Sequence, residues 1–223
     1  MLPNERACKW LLAHEFTKAR PFLLLVEGED EWHLLIRLLE PVMGITTIDV
    51  RAYDGVGKLG ATLKSLHEVA SGFHHIRTLA IWRDAETDAK TATACVQGAL
   101  RDAGFAVPDN PGEFVQGSPQ VGFFILPGDD QPGSLEDICL QAVAEDPTMP
   151  CVETFLECVK VKAGESEQVC LHPNDGKTRL HAYLASRREP GLKVGEAAKA
   201  QYLNLDHPAW ERIKGFLREL TQA

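Results

Sequence analysis

The chain has 223 residues, enough to bury a sizeable core as one domain, and its 44% hydrophobic and 25% charged content is ordinary for a globular protein. Its formal charge of −9 provides no overall positive field for nucleic acid or anionic lipid, which argues against a plain basic DNA-binding module. A bound metal ion inverts an acidic potential locally, so nucleic acid stays open as a partner.

The opening MLPNERACKWLLAHEF places charges inside its short apolar run, unlike a signal peptide, and no run approaches the ~18 apolar residues of a membrane span. The six cysteines form no C-x-x-C pair and read as reduced, mostly buried thiols of a soluble cytoplasmic protein. Cys151 and Cys158 are expected to share a buried helix face. Cys170 and His172 resemble half of a zinc site, but no second pair at finger spacing accompanies them.

The first strong element is FLLLV, Phe22 to Val26, an apolar run that reads as a strand buried on both faces. It passes through Gly28 into a helical pattern carrying Trp32, Leu35, Ile36 and Leu39. The rhythm recurs. Thr46 to Tyr53 predicts a second strand, followed by DGVGKLG and a helix from Ala61 to about Ala70. Thr78 to Trp82 predicts a third, followed by RDAETDAK and a helix from Ala92. Val121 to Leu126 predicts a fourth, followed by PGDDQPGSLED and a helix from Ile138. Strands alternating with helices predict an α/β fold with a central parallel sheet of about four strands.

From Asp146 onward the pattern turns helical, giving a C-terminal extension over residues 146–223 behind a core at 20–145, with Pro147 and Pro150 at the seam. Thr178 to Arg188 predicts one helix. Asp206 and Pro208 begin another, whose Trp210, Ile213, Leu217 and Leu220 form one apolar stripe.

Ligands of open α/β sheets bind outside the carboxyl ends of the strands, so residues at the strand exits are the informative ones. Glu27, Glu29, Asp30 and Glu31 follow the first strand. Asp84, Glu86 and Asp88 follow the third, and Asp129, Asp130, Glu136 and Asp137 the fourth. Glu27 and Glu31, four apart across a helix start, can share a face. In an extended segment Asp84, Glu86 and Asp88 would point to one side. Clustered carboxylates repel until a proton or a cation compensates, and magnesium suits a few hard oxygens. The metal-ligand candidates are therefore Glu27, Glu31, Asp84, Glu86, Asp88 and Glu136, with Mg²⁺ or Mn²⁺ as the ion. Taken singly, Glu29, Asp30, Asp88 and Asp137 also read as helix caps that complement the macrodipole.

VEGEDEWHLL followed by IWRDAETD on successive βα units resembles the TOPRIM family, shared by topoisomerases, bacterial primases, recombination-repair scaffold proteins and overcoming-lysogenization-defect nucleases. The resemblance covers about Phe22 to Val143. Glu31 and the LED segment with Glu136 look closest to the nuclease branch, and the tail through LNLDHPAWERIKGFLREL is similar to small stand-alone bacterial TOPRIM-related proteins of undefined function. The resemblance implies a Rossmann-like fold and metal-dependent phosphodiester chemistry on nucleic acid. Glu27 would act as ligand or general acid/base, Asp84 and Glu86 as metal ligands, and Lys177 as a buried cation balancing the charge on a phosphoryl group. Two departures stand out. Glu86 replaces the middle aspartate, and the chain lacks the extra domains that position DNA in topoisomerases and primases. A non-catalytic module of the same fold, acting by protein or nucleic-acid association, is the alternative.

GVGKLG, Gly55 to Gly60, has the form of a dinucleotide fingerprint, but Lys58 lies inside the turn and Asp84 already belongs to an acidic trio. Gly55, Gly57 and Lys58 form a candidate phosphate cradle, and the same turn reads equally as glycines admitting positive φ. Neither GVGK nor DGKT is a P-loop. His74 and His75 precede the third strand on the edge opposite the acids, where a surface role is expected. Between Asn174 and Ala200, six Lys/Arg face three acids, a possible phosphate-backbone contact or simply a solvated helix face.

Overall fold

In the computed structural model, which describes residues 15–68, 71–163 and 176–222, the predicted βα rhythm forms a mostly parallel sheet with helices on both faces. The strands are β1 (Phe22–Val26), β2 (Ile48–Ala52), β3 (Thr78–Asp84), β4 (Phe114–Val115) and β5 (Gln120–Leu126), in the order β2-β1-β3-β5-β4. β4 pairs antiparallel with β5 and makes a fifth strand that the sequence reading missed, because two residues carry no periodicity. β3 runs through Arg83 and Asp84, two residues beyond Trp82, since both pair with β5 at Ile125 and Leu126. Ladder bonds to a neighbouring strand override the polar composition there.

Side chains alternate across the sheet, so each strand feeds two cores. Leu24, Val26, Val50, Trp82 and Phe124 pack on one face under α1 (Glu29–Arg37), α4 (Leu135–Ala142), α5 (Met149–Ala163), α6 (Gly176–Ala185), α7 (Val194–Lys199) and α8 (Glu211–Leu220). Leu23, Leu25, Leu79, Ile81 and Phe123 pack on the other, under α2 (Leu59–Glu68) and α3 (Ala89–Asp102). The C-terminal helices thus supply most of one face of the core. Pro150, expected at a seam, sits in the first turn of α5, where a missing N–H costs nothing.

The Trp210, Ile213, Leu217 and Leu220 stripe is fully buried. Phe216 joins it, stacking on Phe114 at 5.1 Å and meeting Phe124 at 5.2 Å. Its cap differs from the expectation: His207 Nδ1, not Asp206, accepts the Ala209 N–H at 3.1 Å. On edge strand β2, Arg51 and Asp49 form a buried ion pair at 2.7 Å, and the guanidinium lies 3.7 Å over the Phe16 ring.

The cysteine expectation is corrected. Of the four described cysteines only Cys139 is buried, and Cys151 and Cys158 are exposed on α5. They do share a helix face, but α5 turns Met149 and Val152 inward and leaves that face to solvent. Cys8, Cys170, His172 and the opening stretch 1–14 lie outside the described residues. Among the described residues no helix is long and apolar enough to cross a membrane.

α7 approaches α1 at a glycine. A Cβ built on Gly195 would stand 2.1 Å from the Cβ of His33, a contact neither backbone can relieve by rotating a side chain. Gly195→Ala should therefore lower unfolding stability by about 1–3 kcal/mol in urea titration, with the far-ultraviolet dichroism retained. An unchanged midpoint would mean that the helices part freely.

Candidate functional site

The parallel strands all end at one edge, where three loop devices bring the exits together. The turn after β2 grips the exit of β1: the N–H groups of Asp54 and Gly55 both donate to the Glu27 carbonyl, at 2.9 and 3.1 Å. Gly55 takes φ of 112°, which only glycine tolerates easily. Two of the donors expected of a phosphate cradle at Gly55, Gly57 and Lys58 are engaged within the turn itself. The Gly55 amide is occupied by Glu27, the Lys58 amide donates to the Gly55 carbonyl, and Lys58 Nζ reaches Asp54 at 3.3 Å. Gly57 lies in open space within this short 3₁₀ turn.

The second device zips the loop after β3 to the loop after β5. Glu86 N–H donates to the Gly133 carbonyl and Gly133 N–H to the Glu86 carbonyl, at 2.9 and 2.8 Å. Glu86 has φ of 54°, so the segment is not extended, and Asp84, Glu86 and Asp88 do not align on one side as expected. Asp88 turns away to cap α3. One oxygen accepts the Lys90 N–H at 3.0 Å and the other the Thr91 hydroxyl at 2.6 Å, and these bonds hold its carboxyl below the usual range. Asp137 is likewise a cap, accepting the Ser134 N–H at 2.8 Å.

The third device is the start of α1. Glu31 folds back to accept the Gly28 N–H at 3.0 Å, which keeps its carboxyl beside Glu27 rather than in solvent.

These loops surround Asp84, the last residue of the central strand β3. It is buried, accepts a backbone N–H from Leu135, and leaves Oδ1 without a partner among the described residues. Burial pushes its carboxyl well above the ordinary range, and the charges of Glu31, Glu136 and Glu86 push further. Burial also raises Glu31, with Glu27, Asp30 and Glu136 adding to the shift. Asp30 is raised by burial too, although Lys193 of the loop before α7 opposes it, and its Oδ1 is another buried oxygen without a partner. Glu27 is raised by burial, with Arg83 and Lys177 pulling it down and Glu86 pushing it up.

Lys177, in the first turn of α6, is the cation over this group, with Nζ 4.0 Å from Glu86 Oε1. It is half-exposed rather than buried, which corrects the sequence expectation. Partial burial alone would lower its pKa, but Glu136, Glu86, Asp84 and Glu27 together raise it. The basic stretch is thus divided: Lys177 and Lys193 reach the acids, Arg179 pairs with Glu153, and Arg187 with Asp146. His74 and His75 sit in a 3₁₀ turn before β3, at the opposite edge as expected.

Glu27, Glu31, Asp84, Glu86 and Glu136 therefore share one electrostatic neighbourhood, while Asp88 does not enter it. Buried oxygens without donors suit a hard cation, as does a carboxylate set of this kind. Among the described residues, however, no group of three His, Cys, Asp or Glu side chains is already arranged to hold an ion.

Two further groups stand at this edge that the sequence reading overlooked. Arg83, buried on β3, has an Nε without a partner among the described residues, and Tyr53, buried just past β2, has a hydroxyl likewise without one among them. The signal for Arg83 is a charge within an apolar strand, hidden because the predicted strand ends at Trp82, two residues short of the observed end.

Acids raised by folding bind protons more readily in the native state, so stability falls as pH rises from the unfolded carboxylate values of 3.8 and 4.5 through the higher folded values. The two lowered acids, Asp88 and Asp146, act only below that window. Melting in a chelator should therefore drop as pH rises above those unfolded carboxylate values, with His75, whose imidazole is lowered, contributing in the opposite direction below 6.5, and Asp84→Asn should flatten the slope. A wild-type melting temperature that climbs across this range contradicts the arrangement.

No curated protein and no solved structure gives a significant match to this chain. The family model described as protein of unknown function (DUF3226) matches residues 21–222, from the start of β1 to the end of α8, and the chain belongs to that family.

Proposed function

We propose that this protein performs magnesium-dependent phosphodiester chemistry on nucleic acid, as a nuclease-like protein of TOPRIM type. The observation that carries the reading is the buried carboxyl of Asp84, with a free oxygen and three acids around it, at the strand edge where α/β folds bind ligands. Glu27 at the exit of β1, with Asp84 and Glu86 at the exit of its sheet neighbour β3, supports the TOPRIM comparison, as does Glu136 on the helix after β5.

Asp84, Glu86 and Glu136 would hold the ion, with Glu31 and Glu27 beside them and Mn²⁺ as a substitute for Mg²⁺. When bound, the ion supplies Lewis-acid stabilisation of charge on a phosphoryl oxygen. Glu27, whose carboxyl burial raises above the ordinary carboxylate range, is suited to hold or release a proton at the mouth of the site. Lys177 places a mobile positive charge where phosphoryl charge would develop. Lys193 tempers the acidic edge at Asp30, so that a polyanion is not met by carboxylates alone.

The alternative, a non-catalytic binding module, draws on the absence of a prearranged metal-holding trio among the described residues. The two readings separate by assay. Mg²⁺ or Mn²⁺ should raise the melting temperature, more at pH 8 than at pH 5.5, because the cation relieves repulsion only among ionised acids. Asp84→Asn should abolish that rise. Cleavage of single- or double-stranded substrate should fall at least about a hundredfold in Glu27→Gln and in Asp84→Asn. Nucleic-acid binding without cleavage, unchanged in both variants, selects the binding module.

A further inference from the structure

The parallel register aligns three polar side chains in one row. β1 pairs with β2 up to Val26 and Ala52, and Tyr53 N–H continues the ladder to the Val26 carbonyl at 2.8 Å. β1 pairs with β3 through Leu25 and Ile81, so two residues further Glu27 stands level with Arg83. Continued in that register, Tyr53, Glu27 and Arg83 succeed one another across the neighbouring exits of β2, β1 and β3. All three lie on the α2/α3 face, in line with Arg51, Leu25 and Ile81 one layer below. Asp84 points to the other face, in line with Trp82 and the helices that carry Glu31 and Glu136.

This row has donors and no acceptor engaged with them. Arg83 is 8% exposed and Tyr53 is 3% exposed, and neither the Arg83 Nε nor the Tyr53 hydroxyl has a hydrogen-bond partner among the described residues. A buried guanidinium with an idle donor is costly. Tyr53 stays protonated, since burial and the nearby acids raise its hydroxyl, so it too can only gain by donating to an acceptor. Glu27 interacts with both as a charge, yet neither donor bonds to it. The row lies at the carboxyl edge of the sheet, and its two idle donors suit a group bearing several acceptor oxygens.

We propose that Tyr53 and Arg83 form an oxyanion subsite that receives a phosphate group of the substrate, on the sheet face opposite the Asp84 carboxylates. The phenol gives one hydrogen bond, the guanidinium supplies charge and a second donor, and Glu27 between them stands against the bound group. This rests on the phosphoryl reading above for its substrate class, and it needs no metal for its test.

The experiment uses the full chain in a chelator, with inorganic phosphate and a short single-stranded oligonucleotide as probes, followed by calorimetry and thermal shift. Tyr53→Phe removes only the unpartnered hydroxyl and keeps the buried ring, so it should fold with a melting temperature at or above the parent. Arg83→Lys retains the charge and loses the planar fork. Each should weaken phosphate binding about tenfold or more, the range of a charge-assisted hydrogen bond. An equal loss with the oligonucleotide assigns the row to a backbone phosphate, and a loss confined to inorganic phosphate assigns it to a free phosphate group. Phosphate binding that is absent, or undiminished in Tyr53→Phe, overturns the subsite. A loss in Lys58→Ala with Tyr53→Phe unaffected moves the anion to the glycine turn and overturns it equally. Because no metal is present, a failure of cleavage in the magnesium assay leaves this result readable on its own.

Discussion

A carboxyl group withdrawn from water among other carboxyl groups needs a proton or a cation, and Asp84 imposes that need at the end of the central strand. One backbone N–H, from Leu135, serves it directly. Glu31 is held nearby by its bond to Gly28, and the backbone of Glu86 by its bridge to Gly133. The sheet edge thus concentrates like charge, which Lys177 and Lys193 offset in part.

The edge is also two-sided. Strand alternation sends Asp84 to one face and Arg83 to the other, although the two are neighbours in the chain. Glu27 falls on the Arg83 side, yet its neighbours in charge include Glu86 and Lys177 on the rim, so it joins the acidic face to the donor row. A phosphoryl group entering such an edge would meet acids that favour a cation on one side and hydrogen-bond donors on the other.

The C-terminal half is integral to this arrangement. α6 brings Lys177 over the acids, and the start of α7 brings Lys193 to Asp30, while α8 seals the core behind them with Trp210, Ile213 and Leu217. Gly195 allows α7 to lie directly on α1, close enough for its N–H to reach Asp30. Removing these helices would uncover one face of the sheet and take away the cations that temper the cluster.

Much of this was legible in the residues. FLLLV, TLAIW and VGFFIL are apolar without alternation, which only a strand covered on both faces explains, and their spacing with helical stretches implied parallel neighbours. Once parallel strands were expected, the acids at their exits had to gather at one edge. The sequence could not show which of those acids face the site. Asp88 and Asp137 read from the sequence both as edge acids and as caps, and the local turn geometry decided for the caps. Nor could it show that β3 continues through Arg83 and Asp84, because the bonds that extend it come from β5, some forty residues away. Chain order thus determined the element types and the edge. Long-range pairing decided the register, and through the register which of two adjacent residues, Arg83 or Asp84, looks toward which face.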